Sequence, residues 1–142
     1  MMKPKVFLAE DNQGDGMLLD LAFTEAGRSV EIVQVHDGAR AFERLRAAAC
    51  QMPFPFHLII IDLHLPSFDG LELLLGLKGL PELTRVPMVI LTTSPTAHER
   101  ERVHELHCAL LMKPDDYSGL GAVIAQLVPY LFPADVDLPA AG

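Results

Sequence analysis

The sequence predicts an α/β fold, a doubly wound parallel sheet with helices on both faces, and three observations carry that prediction. Four short apolar runs, Val6-Phe7-Leu8-Ala9, Leu58-Ile59-Ile60-Ile61, Met88-Val89-Ile90-Leu91 and Ala109-Leu110-Leu111-Met112, are continuous rather than alternating. Continuous aliphatic runs of this length read as strands buried on both faces, the habit of parallel sheets. Each run stops on a polar residue: Glu10-Asp11, Asp62, Thr92 and Lys113. Segments with helical patterning separate the runs, and strand–helix alternation builds a parallel sheet.

Each element has its own signal. Residues 5–9 form the first strand. A polar loop leads to a helix over residues 14–26, where Leu18, Leu19, Ala22 and Phe23 make an apolar stripe and Gly27 fits the C-terminal cap. Residues 31–35, with Ile32, Val33 and Val35 apolar, form the second strand. Asp37-Gly38 turns the chain into a helix over residues 39–49, with Phe42 and Leu45 facing in. Met52-Pro53-Phe54-Pro55 is a stiff connection to a third strand over residues 57–61. Residues 66–70 are a loop and 71–80 a helix. Pro81 and Pro87 bracket the approach to the fourth strand. A strongly charged helix follows over residues 97–107. The fifth strand ends at Met112, and residues 118–131 form the last helix.

Bulk composition narrows the function classes. A chain of 142 residues suffices for one domain with a core. Half of it is apolar but only 6% aromatic, with no Trp, so the core is aliphatic. A net charge of −8 argues against nucleic-acid and anionic-membrane partners. No apolar run is long enough to span a bilayer, and none follows Lys3 and Lys5 as a signal peptide requires. Cys50 and Cys108 lack metal-like spacing, so two reduced thiols in a cytoplasmic protein are expected.

Parallel strands share one C-terminal edge, where open α/β sheets place their ligands. Here that edge gathers three carboxylates, a hydroxyl and an ammonium. Carboxylates so close repel unless a cation sits among them, and Mg²⁺ is the expected ion. Asp62 opens no helix, so a capping role does not account for it. His98, His104 and His107 lie on one helical stretch, but nothing completes a zinc site, and they read as surface residues.

In this order and at these strand ends, the motifs resemble the receiver domain of two-component response regulators. The resemblance rests on Glu10-Asp11, on Asp62-Leu63-His64-Leu65-Pro66-Ser67-Phe68-Asp69-Gly70, on Thr92 and on Lys113-Pro114, and covers residues 5–131. It implies a flavodoxin-like (βα)5 sheet of strand order 2-1-3-4-5. Asp62 would then be the phosphoacceptor, attacking a phosphohistidine on a sensor histidine kinase. Mg²⁺ would be held by Asp11, Asp62 and the backbone carbonyl of His64, with Glu10 nearby. Lys113 and Thr92 would contact the phosphoryl group, and the Lys113–Pro114 bond is often cis in this family. His64 and Ser94 are candidates to tune the lifetime of the phosphate. The protein would catalyse only its own phosphorylation and dephosphorylation. Five positions depart from the family pattern: Glu10 replaces Asp, Leu110 replaces an aromatic, Thr93 replaces Ala, and His107-Cys108 replaces Gly-Ala.

Gly142 lies 28 residues beyond Pro114, which leaves room for one helix and a tail. The expectation is therefore a stand-alone receiver over residues 1–132, a tail over 133–142 and no output domain, signalling to an unknown downstream protein by contact. Glu10-Asp11-Asn12, Leu91-Thr92-Thr93-Ser94 and Tyr130-Leu131-Phe132 resemble single-domain regulators paired with bacterial and cyanobacterial phytochrome kinases. A homodimer is expected through the fourth helix, fifth strand and fifth helix, with Leu110, Tyr130 and Phe132 as candidate contacts. Dehalogenase-type phosphatases and Asp-x-Asp nucleases need an Asp where His64 stands, and Glu10-Asp11 would repel a flavin phosphate. A pseudo-receiver that binds partners without phosphorylation is the alternative.

Overall fold

The computed structural model describes residues 3–133; residues 134–142 of the expected tail lie outside the described residues. In chain order the elements are β1 (Lys5–Ala9), α1 (Gln13–Glu25), β2 (Glu31–Val35), α2 (Gly38–Ala48), β3 (Leu58–Ile61), α3 (Gly70–Lys78), β4 (Met88–Thr92), α4 (Ala97–Glu105), β5 (Ala109–Met112) and α5 (Leu120–Leu131). Short 3₁₀ turns at Pro81–Leu83 and Tyr117–Gly119 precede β4 and α5. All strand pairs are parallel and the order is β2-β1-β3-β4-β5, as expected. No helix among the described residues is long and apolar enough to cross a membrane.

The apolar runs divide between two cores because successive strand residues point to opposite faces. Phe7, Ile59, Ile61 and Ile90 pack against Leu45, Leu73, Leu77 and Val103 from α2, α3 and α4. Leu8, Leu58, Ile60 and Val89 pack against Leu19, Phe23, Ile124 and Leu127 from α1 and α5. The central strands β3 and β4 are buried along their whole length, which explains why they lack polar alternation.

Helix starts are set by capping rather than by the first apolar residue. The side chains of Asn12, Asp37, Asp69 and Thr96 accept backbone N–H groups of the first turns of α1, α2, α3 and α4. The first three helices therefore begin one residue earlier than the apolar pattern suggests. Asp69 with Glu72, and Thr96 with Glu99, complete reciprocal capping boxes. At the other end, α4 stops at Glu105 because His107 turns into the left-handed region at φ 55°. The start of the last expected helix is the 3₁₀ turn. Among the described residues the cis peptide bond precedes Pro53, so the Lys113–Pro114 bond is trans.

Register brings the polar strand ends together. Ala9 pairs with Ile61, Ile61 with Ile90, and Thr92 with Met112. Beyond the last pairs, the Asp62 amide donates to Ala9 O at 3.0 Å and the Lys113 amide donates to Thr92 O at 2.8 Å. Two loops close over this edge at distances that exclude a side chain. A Cβ on Gly38 would lie 1.6 Å from Phe68 O, and one on Gly70 would lie 2.3 Å from Asp62 O. Both obstacles are backbone and cannot rotate away.

Gly38→Ala and Gly70→Ala should therefore each destabilise the fold by about 2 kcal/mol or more, since overpacking displaces the loop that carries the strand end. Gly121, in α5, is exposed, and a methyl on its Cα would meet nothing within 4 Å. Gly121→Ala should stabilise by about 0.5–1 kcal/mol through helix propensity. Urea midpoints of the three variants check this, and a neutral Gly38→Ala would contradict the packing argument.

Candidate functional site

Each of four neighbouring strands delivers one residue to the same end of the sheet: Glu10 from β1, Asp62 from β3, Thr92 from β4 and Lys113 from β5. Glu10, Asp62 and Thr92 are 3%, 5% and 0% exposed, the buried polar side chains among the described residues. Burial obliges them to find partners, because an unpaired polar group there costs free energy. They find each other. Asp62 Oδ1 accepts from the Thr92 hydroxyl at 2.9 Å and from the His64 amide at 3.0 Å. Asp62 Oδ2 accepts from Lys113 Nζ at 2.7 Å. The same ammonium donates to Asp15 Oδ2 at 2.9 Å and to Glu10 Oε1. Its three N–H donors are thereby matched by three carboxylates.

The neighbouring loop is held from β2. Gln34 Nε2 donates to Glu10 O at 2.8 Å and to Asn12 O at 3.1 Å, while the Asn12 amide donates to Glu10 Oε2 at 3.0 Å. These bonds fix the turn that carries Glu10 and Asp11 and lead it into α1.

Two buried carboxylates facing one ammonium do not titrate alike. Burial drives Glu10 upward, Lys113 opposes, and the nearby Asp62 pushes it further, so its pKa reaches about 7. Asp62 also feels burial, but the His64 amide, Lys113 and a hydrogen bond with Glu10 outweigh it and hold its carboxyl below the usual range. Burial lowers Lys113, yet its bonds to Asp62, Glu10 and Asp15 win and raise it. The site at neutral pH therefore holds a charged lysine and an ionised Asp62. Glu10 is the carboxylate that takes a proton.

Other expected site residues are placed less tightly. Asp11 is exposed, and no described hydrogen bond or ion pair engages it. His64 is exposed and touches Asp62 through its backbone amide. Ser94 is exposed, in the left-handed region at φ 41°. Asp15 is the residue that sequence reasoning missed. It sits in the first turn of α1, where an acidic residue needs no further reason than the helix dipole. Only the reach of Lys113 from β5 gives it a second role.

The donor set suits a hard divalent cation in kind, since Glu10, Asp11 and Asp62 offer carboxylate oxygens. Among the described residues, however, no three acidic, histidine or cysteine side chains already close around one point. The ammonium of Lys113 stands between Glu10 and Asp62 instead.

The candidate dimer contacts do not form one open patch. Leu110 is half-buried against the α2–α3–α4 core. Phe132 packs on the α1–α5 core, with the Arg28 guanidinium 5.0 Å above its ring. Tyr130 is exposed at 41%. The reason is geometric: Leu110 pairs with the inward-facing Ile90, and β5, although an edge strand, still covers the core on that side.

Removing the ammonium should expose the electrostatic strain it neutralises. Lys113→Ala should cost about 3 kcal/mol at pH 7.5, as expected for stranding buried carboxylates. The penalty should be smaller at pH 5. A carboxyl whose folded pKa lies above its unfolded value contributes stability that is present at low pH and lost as pH rises through the folded value. Glu10 already behaves so between 4.5 and about 7; without Lys113, which lowers both groups, Glu10 shifts further up and Asp62 rises from its lowered value. Urea unfolding of both proteins at both pH values, without divalent ions, measures the difference. An equal penalty at pH 5 and 7.5 would count against it.

Comparison with known proteins agrees with this geometry. A family model described as the response regulator receiver domain matches residues 6–124. Response regulator Rcp1 of Synechocystis sp. is 34% identical over 142 residues, covering 97% of this chain and 95% of Rcp1. The structure of the phosphorylated cyanobacterial phytochrome response regulator RcpA superposes with a TM-score of 0.81 at 31% identity, covering 97% of this chain and 99% of RcpA. The Mn²⁺-bound form of Rcp1 superposes with a TM-score of 0.78 at 29% identity, covering 96% of this chain and 99% of that one. With the family match spanning β1 to α5, and an acidic turn, an Asp, a Thr and a Lys at the ends of β1, β3, β4 and β5, the chain belongs to the response regulator receiver domain family.

Proposed function

We propose that Asp62 is a phosphoacceptor that takes a phosphoryl group from a phosphohistidine on a sensor histidine kinase, and that the modified domain signals by protein contact. The observation that carries this reading is the state of Asp62: buried, ionised and bracketed by Lys113 at 2.7 Å and Thr92 at 2.9 Å. A carboxylate in that state is a nucleophile with its countercharge already in place. The bond formed runs from an Asp62 oxygen to phosphorus. The bond broken is phosphorus to imidazole nitrogen, and the departing ring keeps the electron pair. Lys113 offers its ammonium to the phosphoryl oxygens. The Thr92 hydroxyl, which donates to Asp62 before transfer, is positioned to donate to a phosphoryl oxygen afterwards.

Mg²⁺ fits the remaining donors. Glu10, Asp11, Asp62 and the His64 carbonyl would hold it, and its charge would offset the repulsion between carboxylate and phosphoryl group. The solved Mn²⁺ form of Rcp1 supports a divalent ion here. A phytochrome-type kinase is the proposed donor, since RcpA is described as a cyanobacterial phytochrome response regulator. The cytoplasm is the compartment that goes with such a donor. His64 and Ser94, each two residues past a site residue, would tune the lifetime of the acyl phosphate. Self-association through α4, β5 and α5 belongs to the same proposal. It rests on exposed Tyr130 and Met112 rather than on Leu110 and Phe132.

Intact mass spectrometry after incubation with acetyl phosphate and Mg²⁺ should show one added phosphoryl group on the wild type and none on Asp62→Asn. Asp11→Ala should weaken Mg²⁺ binding at least tenfold by removing an anionic ligand. A labelled Asp62→Asn, or an unlabelled wild type, would overturn the acceptor assignment.

In sedimentation equilibrium at tens of micromolar, the phosphorylated wild type should self-associate more than a Met112→Ser/Tyr130→Ser variant. Two monomers would remove the dimer from the proposal.

A further inference from the structure

We infer that Asp15 is a positioning residue: it tethers the ammonium of Lys113 on the α1 side of the site, and through that lysine it governs both phosphoryl transfer and divalent-ion binding. The inference rests on the phosphoacceptor reading and assigns a role to a residue that this reading leaves idle.

Lys113 has three carboxylate partners, and two of them have other work. Asp62 becomes an acyl phosphate on transfer and its carboxylate charge is lost. Glu10 belongs to the donor set for the ion. Asp15 alone has neither task. It is also anchored to a helix, whereas the other two stand at strand ends. Its amide donates to Asn12 Oδ1 at 3.1 Å and to Asn12 O at 3.2 Å, inside the capped first turn of α1. Its carboxylate accepts from Nζ at 2.9 Å. A lysine side chain carries about 2 kcal/mol of rotamer entropy, so a fixed anion at its tip reduces what must be ordered for transfer.

There is space for the lysine to be misplaced. A cavity of about 150 Å³ opens beside it, where Asp115 and Asp116 join Glu10, Asp15 and Lys113 itself in the lining and offer a displaced ammonium other acceptors. Without Asp15, nothing charged in α1 holds the ammonium, and its two remaining partners are Glu10 and Asp62. It would then compete with a divalent ion for both. Asp15 is instead 40% exposed along its side chain, so its bond to Lys113 contributes little to folding. Its effect should appear in chemistry rather than in stability.

The test is a double-mutant cycle on the full chain with wild type, Asp15→Asn, Asp15→Glu, Lys113→Ala and the Asp15→Asn/Lys113→Ala double variant. Two quantities are measured: the phosphorylation rate by acetyl phosphate at saturating Mg²⁺, and the Mg²⁺ dissociation constant by calorimetry. Asp15→Asn should slow phosphorylation about tenfold, equivalent to about 1.4 kcal/mol, and weaken Mg²⁺ binding severalfold, with an unfolding midpoint near that of the wild type. Asp15→Glu should restore part of both. In the Lys113→Ala background, Asp15→Asn should change neither. Simple loss of a negative charge, or of a helix-end acid, would act equally with and without Lys113, so additive effects overturn the inference. Wild-type behaviour of Asp15→Asn overturns it too. If the wild type takes up no phosphoryl group, the phosphoacceptor reading fails, and calorimetry still decides the tether: weakening that needs Lys113 supports it, and no weakening overturns it.

Discussion

The ammonium of Lys113 is the constraint around which this sheet edge is arranged. Two carboxylates that are nearly inaccessible to water, and a third at the rim, would repel one another without it. The lysine reaches them from the outermost strand on that side, across β4, so its position depends on the whole register of the sheet. That register is closed at this point by the Lys113 amide donating to Thr92 O at 2.8 Å. A slip of one residue in β5 would turn the lysine to the opposite face and bring Met112 or Pro114 to its position. The sheet thus does more than support the site. It is the device that lets a residue near the end of the chain neutralise carboxylates near its beginning.

The same arrangement explains why the loops above the edge are so tight. Gly38 and Gly70 let the loop after β2 and the loop after β3 approach within backbone contact. The Ser67 hydroxyl, on a residue at φ 62°, donates to Asp37 Oδ2 at 2.8 Å and joins the two loops. A non-glycine residue at positive φ is a local strain. It sits five residues beyond Asp62, in the turn that returns the chain to cap α3. A buried charge cluster is weak evidence for stability in its own right, since hydrophobic replacements of such clusters are often as stable. The folding energy comes from the two aliphatic cores, and they support an edge whose composition only its chemistry explains.

Much of this is legible in the sequence because burial leaves a plain mark. Val6-Phe7-Leu8-Ala9 and Leu58-Ile59-Ile60-Ile61 can be read as strands without any partner in view, and their polar stops point to the site. Helix starts are less legible because an apolar stripe records where a helix is buried, whereas Asn12, Asp37 and Asp69 record where its backbone begins. Asp15 is illegible for a different reason: its ion pair spans 98 positions in the chain, and no local pattern marks it. Leu110 and Phe132 read as surface for want of facing partners. Leu110 shares the face of Ile90, and the ring of Phe132 lies under Arg28, whose position no pattern at the C-terminal end announces.

Thr92 shows how strictly a buried hydroxyl on β4 depends on a carboxylate on β3. Its hydroxyl is fully buried and donates to Asp62 Oδ1 at 2.9 Å; the alternative acceptor, Thr93 O, lies at 3.4 Å and offers a poorer bond. A buried hydroxyl that loses its acceptor bears the full cost of desolvation, about 1–3 kcal/mol. Any chemistry that redirects the Asp62 oxygens therefore obliges Thr92 to follow the new acceptor or to bear that cost. Thr92 is the last residue of β4, and the backbone after it carries exposed Thr93 and Ser94 into α4. A change of partner at Thr92 would therefore arise next to a loop at the surface. In many receivers an aromatic on the fifth strand accompanies this movement, but here Leu110 is packed into the α2–α3–α4 core. What links β4 to the carboxylate of β3 here is one buried hydrogen bond, from Thr92 to Asp62.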